Sequence, residues 1–224
     1  MTPRKSSVII FLGPPGAGKG TQAKMVAKKL DLPHISTGDI LRNAINNGSD
    51  LGKEAQQFMD KGELVPDNII FAITEERLQQ PDCTHGAIFD GFPRNIAQAK
   101  EFMNLDYINK ADESFAILID LANDKVIERI SNRRSCPNCN SVYNLINKKP
   151  KKKVDGHYIC DNCGSELVIR EDDKVETIKN RLSVYEKSTA PIINFFKNES
   201  ILNTVDGAQS VEKINSEIMH ILDK

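Results

Sequence analysis

The stretch Val8-Ile9-Ile10-Phe11-Leu12-Gly13-Pro14-Pro15-Gly16-Ala17-Gly18-Lys19-Gly20-Thr21 decides how the chain is read. Five consecutive apolar residues suit a strand covered on both faces, the glycines make a turn, and the amphipathic run from Lys19 suits a helix. Strand, turn and helix in that order form a phosphate cradle. Gly13, Gly16 and Gly18 have no β-carbon to hold the backbone away, so successive N–H groups can point at a polyphosphate from the positive end of the helix. Lys19 adds a mobile cation for the outer phosphates. The pattern is a P-loop with one departure. Gly20 stands where most such loops carry the Ser or Thr that grips Mg²⁺, and Thr21 follows one position late. The stretch implies a nucleoside triphosphate ligand.

Outward from the loop, Ala23, Val26, Ala27 and Leu30 recur at helical spacing and form one stripe to face a sheet. The apolar runs Ala87-Ile88-Phe89, Phe115 to Leu121 and Ile201 to Val205 alternate with helical stretches, and Val211, Ile214, Ile218 and Ile221 lie on one face of a last helix. This alternation predicts an α/β fold, a P-loop parallel sheet flanked by helices. Ligands of such sheets collect beyond the C-terminal strand ends, where both the glycine loop and Asp90 fall.

Composition narrows the class. With 224 residues, 39% hydrophobic and 27% charged, the chain can bury a substantial core, which excludes a disordered chain and a disulfide-stapled miniature. Thirty basic residues against thirty-one acidic ones give a net charge of -1, so no global field argues for nucleic acid or membrane. Met1 to Ser7 is short and polar, and the apolar run after it ends too early for a signal peptide or a membrane span. The expectation is a cytoplasmic monomer.

Two segments interrupt the alternation. Residues 37–66 read as short helices joined by turns at Asn46-Asn47-Gly48 and Lys61-Gly62, an inserted helical flap. Residues 135–171 hold four cysteines, the run Lys148-Lys149-Pro150-Lys151-Lys152-Lys153 and few large apolar side chains. Cys136-Pro137-Asn138-Cys139 and Cys160-Asp161-Asn162-Cys163 each present two sulfurs to one ion from a tight turn, and four thiolates suit a structural Zn²⁺. Disulfides, a redox-active pair and an iron–sulfur centre are the alternatives. The lysine run reads as a solvated hairpin tip, with a nucleic-acid or phosphate patch as its rival. Cys83 reads as a small packed residue.

Arg42, Arg94, Arg129, Arg133, Arg134, Arg170 and Arg181 accumulate beyond what a solvated face needs. Phosphoryl transfer between two polyanions calls for such cations, because the protein's task there is positioning and charge stabilisation. The loop Gly13 to Thr21, the stretch Ser36-Thr37-Gly38-Asp39-Ile40-Leu41-Arg42, the run Gly62-Glu63-Leu64-Val65-Pro66-Asp67, the motif Phe89-Asp90-Gly91-Phe92-Pro93-Arg94 with Gln98, and Arg170-Glu171-Asp172-Asp173 followed by Arg181 together resemble adenylate kinase over nearly the whole chain. The four cysteines resemble those of the long-lid bacterial form with zinc.

That resemblance implies a core of 1–35, 67–131 and 172–224, a helical AMP-binding insertion at 36–66 and a small zinc lid with four cysteine ligands at 132–171. It implies reversible transfer from MgATP to AMP giving two ADP. Gly16, Ala17, Gly18, Lys19, Gly20 and Thr21 would hold ATP phosphates, Arg129 would stack on the adenine, Arg133 would meet the triphosphate, Val142 and Tyr143 would contact ATP from the lid, and Gln209 would lie near the adenine edge. Thr37, Arg42, Leu64, Val65, Gly91, Phe92, Pro93, Arg94 and Gln98 would form the AMP site. Lys19, Arg94, Arg133, Arg170 and Arg181 would act on the transferred group, the last two closing from the AMP side. Asp90 would orient the waters of Mg²⁺. Another nucleoside monophosphate kinase, including one with GTP as donor, and a zinc-ribbon nucleic-acid binder regulated by its P-loop are the competing functions.

Overall fold

A computed structural model describes residues 5–223; residues 1–4, part of the polar start considered above, lie outside it. The chain runs Ser7–Leu12 (β1), Lys19–Leu30 (α1), His34–Ser36 (β2), Thr37–Asn46 (α2), Asp50–Met59 (α3), Asp67–Leu78 (α4), Gly86–Asp90 (β3), Ile96–Met103 (α5), Asp106–Asn109 (α6), Glu113–Asp120 (β4) and Asn123–Ser131 (α7). It continues through Arg133–Ser135 (β5), Val142–Asn144 (β6), Lys152–Val154 (β7), His157–Ile159 (β8), Val175–Val184 (α8), Pro191–Asn198 (α9), Leu202–Asp206 (β9) and Val211–Leu222 (α10).

The central sheet has the order β2-β3-β1-β4-β9, and every pairing in it is parallel. Side chains alternate across a strand, and β1 shows why its run is apolar throughout. Val8, Ile10 and Leu12 enter one core with Phe89, Phe102 and Phe196, while Ile9 and Phe11 enter a second core with Val26, Val126 and Ile218. Helices cover both faces, so no position from Val8 to Leu12 is polar; Ser7, at the less buried start of the strand, is the exception.

After β1 the chain builds β2 and β3 on one side, then crosses to β4 and β9 on the other. The reversal leaves a crevice at the carboxyl end of β1. Register decides what meets there: Phe11 pairs with Asp90, Ser36 pairs with Asp90, and Leu12 pairs with Leu118. The glycine loop, Thr37 and Gly91 therefore leave the sheet at one edge.

The other two segments are built differently. The segment read as a flap holds two short helices, α2 and α3, with α2 capped by the Ser36 hydroxyl, which accepts from the Asp39 amide. Residues 133–159 make two small antiparallel pairs, β5 with β6 and β7 with β8. Their miniature core is Cys136, Tyr143, Cys160 and Leu167, with Tyr158 packed against it.

Three details differ from or extend the sequence expectations. The three-residue β2 had no apolar run to announce it. On α10, Ile214 and Ile218 are buried and Ile221 packs half-buried against the same core, but Val211 is 37% exposed, so the stripe begins one turn into that helix. The lysine run is an exposed hairpin, as expected, yet the ammonium groups of Lys148 and Lys153 lie 5.7 and 5.1 Å from the ring centroids of Tyr143 and Tyr158, within cation–π range. Among the described residues no helix is long and apolar enough to cross a membrane.

Candidate active site

The glycine loop sits against β4 and α7. Gly13 has φ 136, and a β-carbon there would lie 2.4 Å from the Ile119 carbonyl oxygen, so only glycine fits. Helix α1 begins at Gly18 with no side-chain cap and no acidic residue in its first turn. Its first N–H groups and the positive end of its dipole are thus open to an anion. Lys19 folds back over the loop, donating from Nζ to the carbonyls of Gly13 at 2.7 Å and Pro14 at 2.9 Å. Burial of its ammonium lowers the pKa to about 7, with Arg94, Arg181 and Arg133 adding repulsion.

Asp90 stands at the end of β3 beside the loop. A β-carbon on residue 20 would come within 3.0 Å of Asp90 Oδ2. A side chain at position 20 would press on this carboxylate, which would have to give by a few tenths of an ångström. Burial alone would raise the pKa of Asp90, but His34, 3.5 Å away, and Lys19 hold it below the usual carboxylate range. An ionised carboxylate at the phosphate loop suits a hard divalent cation held through oxygen.

One recess along the same edge is lined by Gly13, Pro15 and Lys19 of the loop and, on its other wall, by Thr37, Arg42, Leu64, Val65, Arg94 and Gln98. Thr37 donates from Oγ1 to the Gly91 carbonyl at 3.0 Å, and Arg94 donates from Nε to the same carbonyl at 2.8 Å. Gln98 is buried; its Oε1 accepts from the Arg94 amide at 2.6 Å while its Nε2 donates to Asp67 at 2.6 Å, which sets the turn that carries Arg94. Arg42 donates from Nη2 to Asp39 at 2.5 Å, and its Nε is buried without a partner. Phe92 follows a different pattern, packing edge-on to Phe71 and Phe102 in the core.

Around this recess the arginines crowd together. Burial and the neighbouring guanidinium of Arg181 lower Arg94 to about 10, burial with Arg42 and Arg133 lowers Arg170 to about 9, and burial lowers Arg181. Cations held this way are a preformed site for anions, because a bound phosphate offsets both the desolvation and the mutual repulsion. Arg133 is held by a two-pronged contact with the fully buried Asp173, and Arg181 contacts both Asp172 at 2.7 Å and Asp173 at 3.1 Å. Although burial alone would raise Asp172, Arg181 and Arg133 bring it down to about 2. Arg170 reaches from Nε to the Ser135 hydroxyl at 2.8 Å.

Arg129 lies beyond the loop, donating to the carbonyls of Ala17 at 3.2 Å and Gly207 at 2.7 Å. Gln209 is close by in sequence; its Nε2 donates to Glu217 at 3.1 Å and its Oε1 is buried without a partner. Val142 is part-covered at the edge of the small module, whereas Tyr143 is inside it, accepting from the Asp161 amide at 2.8 Å. The supporting carboxylates Asp39, Asp67, Asp172 and Asp173 carry much of this geometry. In the sequence all four lie within stretches that resemble adenylate kinase, but nothing there marks what each one holds.

The sulfurs of Cys136, Cys139, Cys160 and Cys163 all lie within 4.8 Å of one another, with Cys136 to Cys163 at 3.4 Å and Cys139 to Cys160 at 3.6 Å. A tetrahedron with metal–sulfur bonds of about 2.3 Å has edges of about 3.8 Å. The four thiols therefore fit a tetrahedral metal ion.

A phosphate loop and a cation-lined wall, facing each other across one recess at the end of a parallel sheet, are the arrangement of a P-loop nucleoside monophosphate kinase. A family model described as adenylate kinase matches residues 11–201. The chain is 49% identical to an adenylate kinase of Archaeoglobus fulgidus over 96% of this chain and 98% of the relative, and 46% identical to one of Petrotoga mobilis over 96% of each. An adenylate kinase of Kosmotoga olearia is 46% identical over 96% of this chain and 98% of its own. The chain belongs to the adenylate kinase family.

Proposed function

We propose that this enzyme transfers the γ-phosphoryl group of MgATP reversibly to AMP, giving two ADP. The observation that carries the reading is the group of buried cations Lys19, Arg94 and Arg181, which link the phosphate loop to the recess around Arg42. The backbone from Gly16 to Thr21 holds the donor phosphates, with Arg129 and Gln209 beside its base and Val142 and Tyr143 in the overlying module. Arg42, Arg94 and the turn Gly91-Phe92-Pro93 hold the acceptor, with Thr37, Leu64, Val65 and Gln98 around its base.

An attacking AMP phosphate is already anionic, so the reaction needs no strong general base. Lys19, Arg94, Arg133, Arg170 and Arg181 stabilise charge in the in-line transition state, and one such arginine is worth roughly a thousandfold or more in rate. Asp173 and Asp172 keep two of these forks aimed. Bound with ATP, Mg²⁺ would supply charge neutralisation at the phosphates, and Asp90 would orient its waters. Residues 36–66 and 132–171 act as units that close over AMP and ATP and exclude water, the behaviour for which adenylate kinase is a general example.

Cys136, Cys139, Cys160 and Cys163 hold a Zn²⁺ that stiffens the small module so that it moves as one body. Cytoplasmic, monomeric action without nucleic-acid or membrane partners completes the proposal. Supplying ATP with each nucleoside monophosphate in a coupled assay tests it. AMP-dependent ADP formation is expected; CMP or UMP used as well as AMP, or no AMP dependence, overturns it.

A further inference from the structure

The cysteine turn touches the helical flap and the phosphate-loop helix through groups that have no part in the site above. Asn140, which ends the first turn, is left-handed at φ 55, a conformation asparagine tolerates better than most residues. Its amide donates to the Cys136 carbonyl at 3.1 Å, so the metal-holding turn fixes it. Its own carbonyl accepts from Lys24 Nζ of α1 at 3.0 Å, and its Nδ2 donates to Asn43 Oδ1 of α2 at 3.0 Å. Asn46 of α2 adds a bond from Nδ2 to the Pro137 carbonyl at 3.3 Å. Lys24 also lies 3.5 Å from Asp39 Oδ2, and the other oxygen of that carboxylate holds Arg42. One lysine side chain thus bridges the sheet domain, the flap and the cysteine module.

Resting on the functional reading above, we infer that Lys24, with Asn140 as its partner, is a positioning residue that latches the cysteine module shut against the flap and keeps the Asp39–Arg42 pair set for the acceptor phosphate. Lys24 touches no reacting atom in this scheme. The contacts are few and partly exposed, which suits a latch, because one that held too tightly would trap product. Each favours the closed arrangement by a small factor, and together they shift it by about 3–10-fold.

The test compares Lys24→Met and Asn140→Gly with the unaltered enzyme in its zinc-bound form. Lys24→Met removes the bridge, while Asn140→Gly keeps the left-handed turn and the carbonyl and removes only the bond to Asn43. Expected for Lys24→Met are KM values for AMP and ATP raised about 3–10-fold, with kcat within about twofold and melting temperature and zinc content unchanged. Hydrogen exchange without nucleotide should quicken at residues 136–141 and 37–46 but not in the sheet, and Asn140→Gly should show the same changes at smaller size. Unchanged KM and unchanged exchange would overturn the latch, as would a fall in kcat at constant KM, which would put Lys24 in the chemistry. Loss of AMP-dependent turnover in the unaltered enzyme would refute the functional reading instead, and the nucleotide-free exchange comparison would still decide on the latch.

Discussion

The glycine loop and the cysteine module both shape backbone turns around a charge, but they are held up by opposite means. The loop rests on a sheet whose strands are buried on both faces, so its geometry is imposed by a large apolar core: Gly13 is pressed against the Ile119 carbonyl and Ala17 is buried. The cysteine module has four buried side chains in its own cluster, two of them cysteines. Burial at roughly 1.5–3 kcal/mol per large apolar side chain cannot order some forty residues against their conformational entropy. Rigidity in the first region comes from packing; in the second, on the proposed reading, it comes from a metal held by the four cysteines. Such a division suits an enzyme that needs a fixed floor and a movable cover.

Four experiments would break or sharpen this contrast. Lys19→Ala should cut kcat/KM by about a thousandfold or more while the melting temperature holds, since the floor is packed independently of its lysine; retained turnover would remove Lys19 from its role. Cys160→Ser, or chelation, should release about one Zn²⁺ per chain and make residues 132–171 protease-sensitive while the sheet keeps its circular dichroism. Thiols that titrate as disulfides would contradict the metal account.

Phe92→Ala should do the reverse, destabilising the whole protein by about 3–5 kcal/mol in denaturant titration with metal content unchanged. The smallest effect concerns protons. Lys19 titrates near 7 in the folded protein against 10.5 ordinarily. Between those values the unfolded chain binds more protons, so this group makes stability rise with pH across that window. Polyphosphate beside the ammonium returns the proton, and ATP binding at pH 8 should take up as much as about one proton in calorimetry with buffers of different ionisation enthalpy. Lys19→Ala should abolish that uptake.

What the sequence disclosed follows the same divide. The sheet was legible from runs such as Val8 to Leu12 because double burial forbids polar residues there, and the glycine loop and cysteine turns were legible because their spacing is dictated by what they hold. Strand β2 was hidden, since three residues with one edge pairing carry no period. The roles of Asp172, Asp173 and Asp39 were hidden as well: a carboxylate that aims an arginine looks in sequence like any surface acid. The bond from the Asp161 amide to the Tyr143 hydroxyl joins residues 18 positions apart and was hidden too. Lys24 and Asn140 are 116 positions apart, and no local pattern joins them.

The central claim is that the phosphate loop and the arginine wall of its recess face each other closely enough for direct transfer with water excluded. Following label from γ-³²P-ATP with AMP present tests it most directly. The account predicts label in the β-phosphate of ADP formed from AMP, with little inorganic phosphate released. Label appearing mainly as inorganic phosphate, at a rate indifferent to AMP, would contradict it.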